Sequence, residues 1–292
     1  MPFLQLTLEL GKTNPEPVED ALFAAGALSV TLEDAADDPI LEPAPGALPL
    51  WPTVNIKALF DADTAPQTVL DALQTALQTA LPALHFEKLE DRPWEREWLK
   101  DFHAMRFGKR LWICPDGQRP DDPDAVIVDL DPGLAFGTGT HPTTALCLQW
   151  LDEHAPPPST IIDYGCGSGI LAIAALKLGA TRASGLDIDP QALLASRDNA
   201  QRNKVSDALT LSLSDSDLQP AELLMANILA GPLESLAPRL SALTLTGGQI
   251  VLSGVLTGQA GSVQNCYAAW FDMDPIQVQG DWARLSGRKR AV

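Results

Sequence analysis

The chain has 292 residues, of which 46% are hydrophobic and 20% charged, a composition typical of a folded protein rather than a disordered one. No apolar run reaches the roughly 18–20 residues that a membrane-spanning helix needs, and the start of the chain lacks the plan of a signal peptide, so we expect a cytoplasmic protein without membrane contact. The formal net charge of −18 argues against direct binding of nucleic acid, because phosphates are neutralised by lysine and arginine.

The first ninety residues alternate between strand and helix patterns. Strands are predicted at 3–10, 28–32, 54–60 and 84–89, helices at 17–25 and 66–80, and a proline-rich acidic loop at 37–52. The order β-α-β-β-α-β is typical of a ferredoxin-like α+β domain, which we assign to residues 1–90. Residues 1–91 hold three lysines against fifteen acidic residues, which suits a basic partner, although such a surface can also serve solubility alone.

A short segment with two tryptophans, Trp94 and Trp98, follows this domain. We interpret 91–104 as a linker helix that acts as a hinge, and 105–292 as the second domain. That domain opens with two predicted strands, 106–114 and 125–130, separated by a polar turn.

The stretch from Asp131 to Thr144 is rich in glycine and hydroxyl side chains, and it precedes a predicted helix at 144–152. Such a loop can fold over a ligand, and its Phe136 and Thr138 are candidate cofactor contacts. Thr144 could donate its hydroxyl to a ligand carboxylate at the helix start, or it could simply cap the helix. His141 is followed by Pro142, and we interpret it as a positioning residue rather than a base.

The most informative stretch is 160–170, with the sequence TIIDYGCGSGI. It predicts a buried strand that ends in Asp163 and runs through Gly165, Gly167 and Gly169 into a helix at 171–178. Glycines let the backbone approach a ligand closely, and the helix start offers free N–H groups. Four scattered cysteines show no metal-ligand spacing, which predicts free thiols, and Cys166 is interpreted as a small residue that fits this loop.

A second predicted strand, 183–186, ends at Asp187, where a doubly wound sheet holds the hydroxyls of a ribose. The dinucleotide fingerprint requires glycine at the position of Ile170, and Asp163 would repel a pyrophosphate. Both features favour S-adenosylmethionine over a nicotinamide cofactor. The site would hold a ribose and a cationic amino-acid tail.

A further strand near 223 ends at Asn227. An uncharged amide can accept a hydrogen bond from an amine that gains positive charge as it attacks a sulfonium methyl group, so we assign Asn227 as the catalytic residue and as a cofactor contact. The alternative is an Asn that caps the helix predicted at 229–240. Further strands are predicted near 160, 184, 209 and 250, and at 274–279 and 281–286. Together with the helical patterns between them, they predict an α/β fold with a doubly wound, mostly parallel seven-stranded sheet.

These motifs resemble the ribosomal protein L-11 methyltransferase (PrmA) family. The resemblance includes the sequences WEREW at 94–98, FGTGTHPTT at 136–144 and NILA at 227–230. It implies a Rossmann-like enzyme that transfers methyl groups from S-adenosylmethionine to lysine ε-amino groups and the N-terminal α-amino group of that ribosomal protein. We expect this enzyme to be a monomer. It also implies that the N-terminal domain recognises the substrate, and that the cofactor contacts fall on Thr144, Gly165, Asp187 and Asn227.

Two other classes stay open from the residues alone, a nicotinamide oxidoreductase and a non-catalytic binding module. Glutamine-directed methyltransferases carry Asn-Pro-Pro-Tyr after the corresponding strand, so Ile228 and Leu229 argue against that substrate. No side chain stands out as a dedicated base, and we expect desolvation to lower the pKa of the substrate amine.

Overall fold

A computed structural model describes residues 2–36, 49–89, 103–115, 117–130 and 140–291. The chain divides into two compact units, Met1–Glu97 and Trp98–Val292. The predicted linker at 91–104 lies almost wholly outside the described residues, and it stays a prediction.

In its described part, the first unit is a four-stranded antiparallel sheet with two helices. Its elements are β1 (Phe3–Gly11), α1 (Glu16–Ala24), β2 (Ser29–Asp34), β3 (Val54–Asp61), α2 (Pro66–Leu77) and β4 (Leu84–Leu89), and the strand order is β2-β3-β1-β4. Burial alternates along β1, where Leu4, Leu6 and Leu8 face the core while the residues between them are partly exposed. The element order and the pairing do not conflict with the ferredoxin-like assignment, which stays a prediction.

The second unit opens with a small three-stranded sheet of β5 (Met105–Phe107), β6 (Leu111–Cys114) and β7 (Val126–Asp129). The prediction of one strand over 106–114 is wrong, because the chain reverses at Gly108, whose φ is +72°, and β5 pairs antiparallel with β6. The buried carboxylate of Asp152 holds this turn by accepting hydrogen bonds from the backbone N–H groups of 109–111, at 3.1 Å from Arg110 and 3.0 Å from Leu111.

The remaining residues form the large sheet and the helices that cover it. The elements are α3 (Pro142–Glu153), β8 (Thr160–Tyr164), α4 (Ile170–Lys177), β9 (Arg182–Leu186), α5 (Pro190–Arg202), β10 (Leu209–Ser212), β11 (Ala221–Asn227), α6 (Ala230–Leu243), β12 (Thr244–Leu256), α7 (Thr257–Tyr267), β13 (Phe271–Met273), β14 (Gln277–Gln279) and β15 (Trp282–Lys289). The sheet order is β10-β9-β8-β11-β12-β15-β13, with β14 paired to β15.

The strands from β10 to β12 are parallel and β15 runs antiparallel to β12, so the predicted doubly wound, mostly parallel sheet is confirmed. Among the described residues, the sheet has eight strands rather than seven. Instead of one strand at 274–279 the chain forms β13 and β14 on either side of Pro275, because proline has no N–H to donate to a sheet.

The side of the sheet on which successive strands are added changes between β8 and β11, although these two neighbouring strands are parallel. From β8 the chain adds β9 and β10 on one side, and then returns to place β11 on the other. Ligands of doubly wound folds bind beyond the carboxyl ends of the strands at such a point. Asp163 lies near the end of β8 and Asn227 ends β11, so the predicted site residues fall at this edge. Within the described ranges, no helix is long and apolar enough to cross a membrane.

Candidate cofactor pocket and active site

The glycine loop, residues 165–169, joins β8 to α4 through backbone conformations that favour glycine. Gly165 and Gly169 both have φ of +77°, in the left-handed region. A Cβ on Gly165 would lie 2.5 Å from Cγ2 of Ile228, just beyond the end of β11. The N–H groups of Gly165 and Cys166 donate to the carbonyl of Leu186 at 2.7 and 2.9 Å. The loop is therefore tied to the end of β9, and it brings backbone to the carboxyl edge of the sheet, where we place the candidate pocket.

Asp163 holds the start of α4. Its side chain is 1% exposed, and its Oδ2 accepts a hydrogen bond from the backbone N–H of Ala172 at 3.0 Å. Burial raises the pKa of this carboxyl from 3.8 to about 7; the hydrogen bond from Ala172 opposes the shift and the charge of Asp187 adds to it. The structure gives Asp163 a role in placing loop and helix, while its contact with a cofactor stays a prediction.

Asp187 follows the last residue of β9, and its side chain is hydrogen-bonded to the backbone of Gly167 and of Asp189. Its Oδ2 accepts from the N–H of Gly167 at 2.9 Å, and its Oδ1 accepts from the N–H of Asp189 at 3.0 Å. These bonds fix the plane of the carboxylate. Because each carboxylate oxygen has two lone pairs, both can still accept a hydroxyl from a ribose.

Asn227 and Thr144, which the sequence predicted separately, are hydrogen-bonded to each other. The Nδ2 of Asn227 donates to Oγ1 of Thr144 at 3.1 Å. Neither residue caps a helix, because His141 caps α3 and Leu229 is the N-cap position of α6. The bond fixes the amide so that its carbonyl oxygen is left for another donor, and the Thr144 hydroxyl keeps its own proton to donate.

His141 positions the start of α3. Its Nδ1 lies 2.7 Å from Oγ1 of Thr143 and accepts from the N–H of Thr143 at 3.4 Å. The ring also meets the ring of Trp282 edge-on, with centroids 4.7 Å apart. Burial lowers the pKa of this imidazole, which favours the neutral form that can accept a hydrogen bond. These contacts agree with a positioning role, whereas Phe136 and Thr138 lie outside the described residues.

Two exposed apolar residues at the pocket were missed in the sequence. Ile188 is 89% exposed directly after Asp187, and Leu213 is 54% exposed directly after β10. The two segments are adjacent, because the N–H of Asp187 donates to the carbonyl of Ser212 at 3.3 Å. Apolar side chains beside the Asp187 carboxylate can provide a surface for a flat base such as adenine. The signal in the sequence that could have identified them is the apolar residue that follows the end of each of these two neighbouring strands.

The sheet order, the glycine loop and the strand-end carboxylate define a nucleoside-binding enzyme of the doubly wound methyltransferase class. The family model described as "Ribosomal protein L11 methyltransferase (PrmA)" matches residues 2–290. Relatives named ribosomal protein L11 methyltransferase include one from Enterobacter sp. (strain 638), 53% identical over 99% of this chain and 100% of its own, and one from Klebsiella pneumoniae (strain 342), 54% identical over the same shares. The chain therefore belongs to the family of ribosomal protein L11 methyltransferases.

A solved structure is also similar. The crystal structure of a ribosomal protein L11 methylase from Lactobacillus delbrueckii subsp. bulgaricus matches with a TM-score of 0.60 and 34% identity, and covers 65% of this chain and 100% of its own. The sequence-based identification is thus confirmed, and the chain is an S-adenosylmethionine-dependent methyltransferase. This family assignment rules out the nicotinamide oxidoreductase alternative.

Proposed function

We propose that this protein methylates amino groups of ribosomal protein L11, at lysine side chains and at the N-terminal α-amino group. The name shared by relatives at 53–54% identity over the full length supports the substrate. The observation that carries the chemistry is the 3.1 Å hydrogen bond between Asn227 and Thr144, because it orients the amide oxygen of Asn227 as an acceptor.

The residues of the pocket fit S-adenosylmethionine. Asp187 offers lone pairs for the two ribose hydroxyls, Ile188 and Leu213 offer apolar surface for the adenine, and Thr144 offers a hydroxyl near the start of α3 for the amino-acid carboxylate. Close packing of Gly165 against Ile228 leaves room only for glycine, which lets the backbone line the pocket. When bound, this cofactor supplies an electrophilic methyl group on a sulfonium.

Asn227 holds the attacking amine in our proposal. A neutral carbonyl oxygen can accept a hydrogen bond from the amine and stabilise the positive charge that develops on its nitrogen. A free lysine has a pKa of about 10.4, so its deprotonation at pH 7 costs roughly 4–5 kcal/mol, whereas an α-amino group with a pKa of about 8 needs far less. The proton is released to water, since no dedicated base is assigned.

Apolar surface beside Asn227 can provide the desolvation that lysine needs. Leu229 lies two residues beyond Asn227 and is 51% exposed. Ile228 between them is enclosed by glycines, because a Cβ on Gly165 would meet its side chain and one on Gly254 would lie 2.4 Å from its carbonyl oxygen. The backbone is thereby fixed, and Leu229 forms an apolar rim against which the methylene stem of a lysine can pack.

The first unit is proposed to recognise the substrate. Its acidic charge suits a basic protein, and opposes direct contact with nucleic acid. We assign residues 1–90 to this role, 91–104 to a linker that reorients the catalytic domain, and 105–292 to methyl transfer. The protein acts as a cytoplasmic monomer in this proposal.

Mass spectrometry of ribosomal protein L11 tests the function. Incubation with the protein and S-adenosylmethionine should add about 14 Da per methyl group at lysines and at the N-terminus. Asn227→Ala should remove the mass increase while it preserves the fold, as judged by circular dichroism. Unmodified L11 after incubation with the folded wild-type protein would contradict the proposal.

A further inference from the structure

Helix α5 and its C-terminal end carry a row of buried polar side chains that sequence patterns do not predict. Ser196, Asn199 and the C-cap residue Asn203 recur at spacings of three and four residues, so they lie on one side of the helix, and all three are buried. A polar stripe on a helix normally faces solvent. This one faces the interior, where each group needs a hydrogen-bond partner.

The partners are backbone groups of the glycine loop and of the end of β7. The Ser196 hydroxyl donates to the carbonyl of Gly167 at 2.7 Å, and the Asn199 amide donates to the carbonyl of Ser168 at 3.0 Å. Asn203 supports this arrangement: its amide donates to the carbonyls of Asn199 at 2.8 Å and Asp129 at 2.7 Å, and accepts from the N–H of Asp129 at 2.8 Å.

Gly167 connects this row of side chains to the carboxylate of Asp187, the proposed ribose ligand. Its carbonyl is held by Ser196, while its N–H donates to Oδ2 of Asp187 at 2.9 Å. The second oxygen of Asp187 accepts from Asp189, whose own side chain caps α5 through the N–H of Gln191 at 2.8 Å. Both bonds that orient the Asp187 carboxylate therefore trace back to α5.

Ser196 also limits the shape of the loop at its other end. A Cβ on Gly169 would lie 2.8 Å from the Ser196 hydroxyl oxygen and 3.1 Å from its Cβ. The serine thus packs directly against the glycine that begins α4. A small hydroxyl residue satisfies this packing and the hydrogen bond to Gly167 together.

We propose that Ser196 and Asn199 are positioning residues for S-adenosylmethionine: both fix the glycine loop, and Ser196 orients the Asp187 carboxylate toward the ribose through Gly167. They act without touching the cofactor. The inference rests on the proposed cofactor site, and it adds the residues of a second helix to that site.

The test is the affinity for S-adenosylmethionine, measured by titration calorimetry without any protein substrate. Ser196→Ala should weaken binding about five- to tenfold, which corresponds to the loss of one hydrogen bond. In assays the KM for the cofactor should rise by a similar factor, and kcat at saturating cofactor should change less than about twofold. Asn199→Ala should act in the same direction, and provides a second variant if the first does not fold.

Thr244→Val is the matched control. The Thr244 hydroxyl is buried and donates to the carbonyl of Leu240 at 2.9 Å, at the junction of α6 and β12. The Thr244→Val variant loses the same kind of hydrogen bond as Ser196→Ala. Its free energy of unfolding should therefore fall by a similar amount, while its affinity for S-adenosylmethionine stays at the wild-type value.

A double-mutant cycle with Asp187→Asn separates the possible failures. If Ser196 acts through Asp187, adding Ser196→Ala to Asp187→Asn should weaken binding less than about twofold further. Wild-type affinity in Asp187→Asn would overturn the cofactor site itself. Weak binding in Asp187→Asn with wild-type affinity in both Ser196→Ala and Asn199→Ala would overturn the positioning role. A full effect of Ser196→Ala in the Asp187→Asn background would also overturn it.

Discussion

Asn227 and Thr144 are 83 positions apart in the chain, and their side chains are joined by a 3.1 Å hydrogen bond at the carboxyl edge of the sheet. One residue ends β11 and the other lies in the first turn of α3. The bond links the proposed acceptor for the substrate amine to the proposed donor for the cofactor carboxylate. In the proposed mechanism, binding of the cofactor and orientation of the nucleophile therefore depend on a shared contact.

Thr144→Val removes this contact with little change in volume. We expect kcat/KM to fall about 10- to 100-fold, because the amide of Asn227 loses the partner that orients it and the cofactor loses a hydroxyl. Asn227→Ala should cost more. In steady-state methylation assays the double variant should be less impaired than the product of the two single effects. Strictly multiplicative effects would show that the two residues act independently.

Gly165→Ala should disrupt the loop. The new Cβ would lie 2.5 Å from Ile228 in a backbone conformation that disfavours side chains, so we expect a loss of roughly 1–3 kcal/mol in the free energy of unfolding. Chemical denaturation measures this loss. Gly261→Ala in α7 is the control, because a Cβ there meets nothing within 4 Å and should stabilise the helix by about 0.5–1 kcal/mol. Equal stability of the two variants would contradict the packing described.

Asp163 should make the stability of the protein depend on pH. Its folded-state pKa of about 7 lies above the ordinary value of 3.8, so its stabilising contribution is fully present below pH 3.8 and is lost as the pH rises through 7. Asp163→Asn has no such charge. Its stability relative to the wild type should increase by about 2–4 kcal/mol between pH 4 and pH 8, in urea denaturation at each pH.

A stability difference between Asp163→Asn and the wild type that stays constant over this pH range would show that the carboxyl ionises at its ordinary pKa. The same variant also tests the predicted cofactor contact. If Asp163 binds S-adenosylmethionine directly, calorimetry at pH 8 should show weaker binding to Asp163→Asn.

Leu229→Ala should discriminate between substrate amines. With the apolar rim reduced, we expect kcat/KM for lysine side chains to fall about five- to tenfold, and kcat/KM for the N-terminal α-amino group to fall less, because its lower pKa requires less desolvation. Peptides with one type of amine blocked separate the two rates. Leu245→Ala is the control: Leu245 is 43% exposed in the first residues of β12, at the opposite edge of the sheet from Asn227. Equal losses for both amines would refute the role of Leu229.

Much of this site could be predicted because its determinants are local. Gly165, Asp187 and Asn227 each lie where an apolar strand stops, and parallel strands bring such ends to one edge. The turn at Gly108 could not be read in the same way, because it depends on the carboxylate of Asp152, more than forty residues later. Ser196 and Asn199 were missed for a related reason: their pattern is that of a solvated helix face, and only the tertiary fold places the glycine loop against it.

A crystal structure with S-adenosylhomocysteine bound tests the central claim most directly. We predict that the ribose hydroxyls lie within hydrogen-bonding distance of Asp187, the amino-acid carboxylate near Thr144, and the sulfur beside the amide oxygen of Asn227. Density for the ligand at any other place, with this edge of the sheet empty, would contradict the account.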